Sequence, residues 1–212
     1  MTKPYHHGNL PAALRDAAAE VIVEQGLGSF SLREVARRAG VSHTAPAHHF
    51  GDVTGLLTSL AAEGFQRLYD VTSAAAVEHP DPAERLVAIG QAYVATGELY
   101  PAHCEVMFRS DLIHSEDPHL QEVGICAYGV LRDTVSAVCT TEHLDVDVDE
   151  ASKLCWAAMQ GLLVLHPSMV HLDVLAGRQP VERDALVVRF AQMLLDGLRA
   201  HRRADVVGPM GG

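Results

Sequence analysis

Residues 31–50, SLREVARRAGVSHTAPAHHF, constrain the fold more than any other part of the chain. Ser31 is placed to cap a short helix, and Glu34, three positions on, completes the pattern of a capping box. Leu32, Val35, Ala36 and Ala39 recur at helical spacing and give that helix one apolar face. Gly40 suits the left-handed position that ends a helix. Val41 fills the angle that follows. Ser42 is expected to cap a second helix, with Pro46 in its first turn, where little hydrogen bonding is lost. Two helices joined steeply by a short turn containing Gly form the helix-turn-helix pattern, whose second helix lies in the major groove of DNA.

Within that pattern His43, Thr44, Ala47 and His48 are the candidate base readers. Imidazole and hydroxyl groups donate or accept at base edges, and the Ala47 methyl can meet a thymine methyl. Ser31, Arg33 and Ser42 lie near helix starts, where hydroxyls, backbone N–H groups and the helix dipole favour phosphate. His49 and Phe50 read as structural, Phe50 anchoring the motif to a preceding helix. Arg37 and Arg38 point away from the apolar face and read as solvated.

The net charge of -11 looks wrong for a DNA binder until it is divided. Residues 1–70 hold six Lys/Arg against seven Asp/Glu, whereas the remainder holds ten against twenty. Acidity therefore belongs to the second part. The first gathers Arg33, Arg37, Arg38, His43, His48 and His49 within a few turns of chain, so phosphate attraction should be modest and local. Protonation of these histidines would strengthen it as pH falls.

The 212 residues, 48% hydrophobic and 20% charged, suffice for a substantial core without staples. No apolar run reaches the length of a membrane span, and residues 1–25 lack a signal peptide's pattern, so a cytoplasmic location is expected. Cys104, Cys126, Cys139 and Cys155 are scattered and read as buried free thiols. Pro and Gly punctuate a chain patterned as helices. The expected spans are 10–25 (capped by Asn9, with Leu10, Leu14, Ala17, Val21 and Ile22 inward), the two motif helices, 52–77 capped by Asp52, 83–99, 101–112, 117–140, 150–172 and 181–201. The terminal GPMGG reads as a frayed end. The fold class is all-α, with a DNA-binding domain over 1–52, a connecting helix over about 52–78 and a second domain over 79–212.

Metal and enzyme chemistry find little support. His6-His7 and His48-His49 are adjacent pairs that do not share a helix face. His103, Cys104, His114 and His119 have neither HExxH nor CxxC spacing. There is no GxSxG, P-loop or paired-carboxylate framework. Cys104 lies beside His103 and near Asp111, but sequence neighbours rarely build a thiol site. The expectation is no enzyme, no cofactor and no resident metal.

Residues 5–69 resemble the DNA-binding domain of the TetR family of bacterial one-component regulators. The resemblance rests on LREVARRAGVS followed by a His-Phe pair, with a long helix before it and an Asp cap after it. The second part resembles the variant C-terminal domain named for a Trp-His-Gly signature: WAAMQG at 156–161, preceded by Tyr93 and by LYPAHCEVMF at 99–108. Three positions depart from the family pattern. Ala47 stands where a phosphate-contacting Tyr is usual, Val53 where a phosphate-contacting Lys is common, and Gln160 where the signature His is expected.

The resemblance implies a homodimeric, ligand-responsive transcriptional regulator, most simply a repressor, that binds a near-palindromic double-stranded operator and is released by a small-molecule effector. Tyr93, His103, Met107, Phe108, Trp156, Met159, Gln160 and Leu163 are the candidate effector-lining residues, a mixture of aromatic, Met and few polar groups that suits a cavity between helices. Trp156, Met159, Gln160 and Leu163 share one helix face by their spacing. The dimer bundle would use Leu154, Leu162, Leu165, Leu186, Phe190, Met193, Leu194 and Leu198 of the last two helices. No membrane partner is expected. An effector-independent DNA-binding dimer and a metal-responsive sensor are the alternative readings.

Overall fold

The computed structural model describes residues 9–200. The His6-His7 pair, the start of the family-like segment at residues 5–8, and the terminal 208–212 stretch lie outside these described residues. Among the described residues the elements are α1 (Leu10–Gln25), α2 (Leu32–Ala39), α3 (Ala45–Phe50), α4 (Val53–Glu78), α5 (Pro82–Leu99), α6 (Pro101–Met107), α7 (Pro118–Glu142), α8 (Val148–Leu175) and α9 (Arg183–Arg199), with a 3-10 turn at Leu27–Ser29. None is a β-strand. The chain packs as two compact units. Among the described residues, one holds 9–69 together with Gly97–Ala127, and the other holds Asp70–Thr96 together with 128–200.

In the first unit, the Asn9 carboxamide oxygen accepts from the Ala12 N–H at 3.3 Å and starts α1. Leu14, Ala17, Ala18 and Val21 of that helix meet Val35 of α2 and Leu56 of α4 in a buried core, with Leu32, Ala39, Val41 and Phe50 packed around it. Gly40, at φ 68° and ψ 31°, takes the left-handed position and lets its N–H close α2 on the Ala36 and Arg37 carbonyls. Asp52 accepts from the Gly55 N–H at 2.8 Å and starts α4.

Gly55 escaped the sequence reading. A Cβ there would collide with the Phe50 carbonyl oxygen, a backbone atom that already accepts from the Asp52 N–H at 3.0 Å. We expect Gly55→Ala to lower unfolding free energy by about 1–3 kcal/mol, as overpacking does. Urea denaturation checks this, and an unchanged midpoint would contradict the close approach.

The second unit is held by Leu86 and Ile89 of α5, Val135, Val138 and Cys139 of α7, Ala151 and Cys155 of α8, and Leu195 and Leu198 of α9. The starts of α5, α7 and α8 follow one rule. Asp81, Asp117 and Asp147 each turn a carboxylate onto a backbone N–H of the first turn, at 2.9–3.0 Å. The acidic run at 145–150 therefore includes a helix cap.

Several boundaries differ from expectation. α6 stops at Met107 rather than 112. Phe108 leaves the helical region, and Arg109 closes a local turn by a two-pronged bond to Asp111 at 2.9 Å. α8 continues to Leu175 and carries Pro167 inside it, although a proline there removes the donor its turn would need. Leu162 and Phe190 pack beside Val94, Met159 and Val187, and Leu194 and Leu198 join the core of their own unit. Leu162 of α8 and Phe190, Leu194 and Leu198 of α9 thus spend part or all of their apolar surface within their own unit, which the seam expectation did not foresee. Leu154, Leu165 and Met193 are the members of the expected seam that remain exposed, at 58%, 51% and 72%.

Cys139 and Cys155 are buried as expected, but Cys126 is exposed and Cys104 only partly covered. Burial pushes the Cys104 and Cys155 thiols up to about 11, which keeps them protonated and unreactive. Among the described residues no helix is long and apolar enough to cross a membrane.

Candidate functional site

The turn and short helix after Gly40 display the expected reading side chains. Ser42, His43, Thr44, Ala47 and His48 are all exposed, while Pro46 between them is buried and Phe50 is half-buried against the α1 core. The alternation follows from one helix turn: Pro46 and Phe50, four apart, face inward, and Ala47 and His48 face out. His49, expected to be structural, is exposed as well, its ring edge-on to His48 at 5.5 Å.

Ser42 does not cap this helix. The helix begins at Ala45 with Thr44 at the cap position, whose carbonyl accepts from the His48 N–H at 3.0 Å. The Ser42 carbonyl accepts from the Ala45 N–H, and the Ser42 hydroxyl bonds the Thr44 hydroxyl at 3.1 Å. Pro46 explains the shift. It has no N–H for a serine four residues back to receive, so the turn tightens before the helix starts. Two adjoining hydroxyls are thereby presented together in front of α3.

Ser31 caps α2 as expected, accepting from the Glu34 N–H at 3.3 Å. The capping box is only half made. The Glu34 carboxylate accepts instead from Arg37 Nε at 2.8 Å, Arg37 Nη2 at 2.6 Å and Gln25 Nε2 at 3.4 Å. Arg38 is not solvated either. Its side chain is 16% exposed and meets Glu24 at 2.5 Å, Glu20 at 3.7 Å and Glu34 at 3.9 Å. These bonds hold the Glu24 and Glu34 carboxyls below their usual range and raise both guanidiniums. Arg33 is thus the exposed arginine of the motif that no carboxylate neutralises among the described residues. The surface around α3 is polar and hydrogen-bonding rather than strongly basic.

The effector candidates fall into two groups in different units. In the second unit, the Tyr93 hydroxyl donates to Gln160 Oε1 at 2.5 Å, and Trp156 Nε1 donates to the Tyr93 oxygen at 3.3 Å. Met159 is buried one turn away against Val94 and Val187, and Leu163 is half-buried. In the first unit, Met107 packs with His103 over Gly64, and the Phe108 ring meets Phe65 edge-on at 5.8 Å. The expected face of α8 is therefore real, but the LYPAHCEVMF segment builds a separate cluster.

Tyr128 was missed. Its ring lies 5.9 Å from Trp156, and its buried hydroxyl has no hydrogen-bond partner among the described residues. No sequence signal ties it to Trp156, because the pair meets only through the packing of α7 on α8. Among the described residues no three His, Cys, Asp or Glu side chains converge as metal ligands; burial holds the His103 imidazole below its ordinary range, and His114 faces Glu116 at 3.5 Å.

Comparison with known proteins follows the same division. Residues 14–60 match the family described as bacterial regulatory proteins, tetR family. The HTH-type transcriptional regulator BetI of Rhizobium meliloti (strain 1021) is 38% identical over 77 residues, which are 36% of this chain and 38% of that protein. The chain thus matches well under half the length of this curated relative. A protein of unknown function from Rhodococcus sp. RHA1 is 26% identical with a TM-score of 0.76, over 93% of this chain and all of that one. A tetR-family regulatory protein from Rhodococcus RHA1 is 20% identical with a TM-score of 0.71, over 92% of this chain and 98% of that one, and shares the fold.

Proposed function

We propose that this chain, a tetR-family protein by its helix-turn-helix region, is a homodimeric transcriptional repressor that reads a near-palindromic operator through α3 and is released by a small-molecule effector. The observation that carries the reading is the exposure of Ser42, His43, Thr44, Ala47 and His48 around the buried Pro46. A solvent-facing array of hydroxyl and imidazole groups beside a buried anchor suits base edges better than it suits folding.

Dimerisation is supported by α8. Leu154, Leu165 and Leu172 are 58%, 51% and 63% exposed, and spacings of eleven and seven keep them on one helix face. An uncovered leucine stripe of this length calls for a partner, and a second copy pairing its α8 and α9 into a four-helix bundle supplies it. Two-fold symmetry would then set the reading helices about 34–36 Å apart, on successive major grooves.

The effector reading rests on the Tyr93–Gln160–Trp156 chain and the unpartnered Tyr128 hydroxyl, a neutral polar cluster among apolar helices. On the Trp-His-Gly reading of the C-terminal part, Gln160 replaces a titratable His by a neutral amide. Residues 1–52 would be the reading head and 79–212 the effector and dimerisation part. α4, one unbroken helix from Val53 to Glu78, is the covalent connection between them. Effector and operator must weaken each other's binding by the same factor, typically about 5–150-fold. Such a partner places the protein with the chromosome, in the cytoplasm.

Selection of duplexes from a random library with the full chain tests the reading. Near-palindromes with half-sites one helical turn apart are expected, and an unenriched pool would contradict it. Salt dependence offers a second check. Val53, 37% exposed at the start of α4, occupies the position where the family commonly has Lys. Val53→Lys should add about one phosphate contact per chain and steepen the log–log salt slope by about 0.9 per contact. Binding measured from low to physiological salt reads this directly, and an unchanged slope would remove α4 from the interface.

A further inference from the structure

We propose that the groove between α1 and the Leu99–His103 segment, within the first unit, binds a small amine with an apolar body, its ammonium at Glu20 and its body against Val23, Leu99 and Pro101. The groove has a volume of about 260 Å³. An apolar cavity of about 150 Å³ holds benzene, so a ring with a short tail fits. Val23 and Leu99, at 61% and 72% exposure, are large apolar side chains that the unit's own core leaves uncovered at this groove.

His103 supplies the polar wall. It lines the groove, is 7% exposed, and makes no hydrogen bond through either ring nitrogen among the described residues. Its ring meets Tyr100 edge-on at 5.6 Å. Burial favours the neutral imidazole, which keeps one nitrogen as an acceptor. A ring nitrogen left free to accept at this groove can take a donor from the occupant.

Charge selects which donor. Glu20 and Glu24 also line the groove. Three carboxylates, Glu20, Glu24 and Glu34, share two guanidiniums: Arg37 serves Glu34, and Arg38 serves Glu24 closely while standing 3.7 Å from Glu20. The cluster is therefore one negative charge in excess, and Glu20 is its loosest member. A cationic head is attracted there, a neutral hydroxyl is indifferent and a carboxylate is repelled. The site lies on the α1–α6 side of the first unit and uses none of the side chains assigned to DNA; of the effector candidates it takes in His103 alone, and none of the Tyr93–Gln160–Trp156 chain.

The experiment titrates the isotope-labelled full chain at pH 7 with 2-phenylethylamine, 2-phenylethanol and phenylacetate, following backbone amide shifts. The amine should perturb residues 19–24 and 99–103, bind about threefold tighter than the alcohol, and outcompete an acid that shows no binding. Glu20→Gln, at an exposed helix position, should abolish the amine's advantage and leave alcohol binding unchanged. Ala19→Phe, which fills the groove, should abolish both. Equal binding of amine and alcohol to the unaltered chain, an advantage that survives Glu20→Gln, shifts confined to other residues, or no binding at all would each overturn the proposal.

Discussion

Replacing Thr44 and His48 together by alanine is expected to remove sequence-selective DNA binding while the protein still folds and associates. Both side chains are exposed, and neither supports the helix-turn-helix core. Among the described residues Thr44 makes no side-chain cap bond to α3, and the His48 ring stands edge-on to its neighbour His49. Folding stability should therefore change by well under about 1 kcal/mol, the range for surface substitutions. Each good base contact contributes about 1–3 kcal/mol of discrimination. Two per reading helix and two helices per operator give about 4 kcal/mol at the low end, roughly a thousandfold in affinity at about 1.4 kcal/mol per decade. Fluorescence anisotropy on a selected duplex measures the loss, with circular dichroism as the folding control. A double variant that binds the same duplex within tenfold of the unaltered chain would move the reading surface away from α3.

The second large effect concerns α8. Leu165→Asp combined with Leu172→Asp should convert the protein to a monomer at micromolar concentration. Burying a leucine contributes about 1.5–3 kcal/mol. Four leucines across a symmetric seam then represent roughly 6 kcal/mol before any penalty for uncovered carboxylates. Because both side chains are more than half exposed in the single chain, the change leaves the monomer's own packing intact. Sedimentation velocity separates the two states. A dimer that persists in this variant would place the self-association surface elsewhere.

What the sequence made legible was local. Asn9, Ser31, Gly40 and Asp52 could be read as helix punctuation because capping depends on residues within one turn, and each acts as expected. Glu34 and Arg38 were misread, each for its own reason. Arg38 finds Glu20 and Glu24 on α1, which only the packing of α1 on α2 brings to it, whereas Glu34 is drawn off its cap chiefly by Arg37 one turn on, a local competitor that the capping pattern does not weigh. Pro46 was legible as a first-turn proline, yet its effect on where the helix starts depended on the turn geometry before it.

The effector candidates show the same limit. The i, i+3, i+4, i+7 spacing correctly grouped Trp156, Met159, Gln160 and Leu163 on one helix. It carried no information on which distant residues would meet them. Tyr93 joined Gln160 by a hydrogen bond across 67 positions, whereas His103, Met107 and Phe108 packed with α4 residues in the first unit. Long-range apolar contacts are chosen by shape and volume, and a linear pattern does not encode them.

Hydroxyl-radical and guanine-methylation footprinting of the full chain on its selected duplex tests the central claim most directly. Two protected major-groove patches, centred about one helical turn apart and related by the operator's own symmetry, are predicted. A single patch, or protection that follows the phosphates without regard to sequence, would contradict a dimer that reads DNA through paired α3 helices.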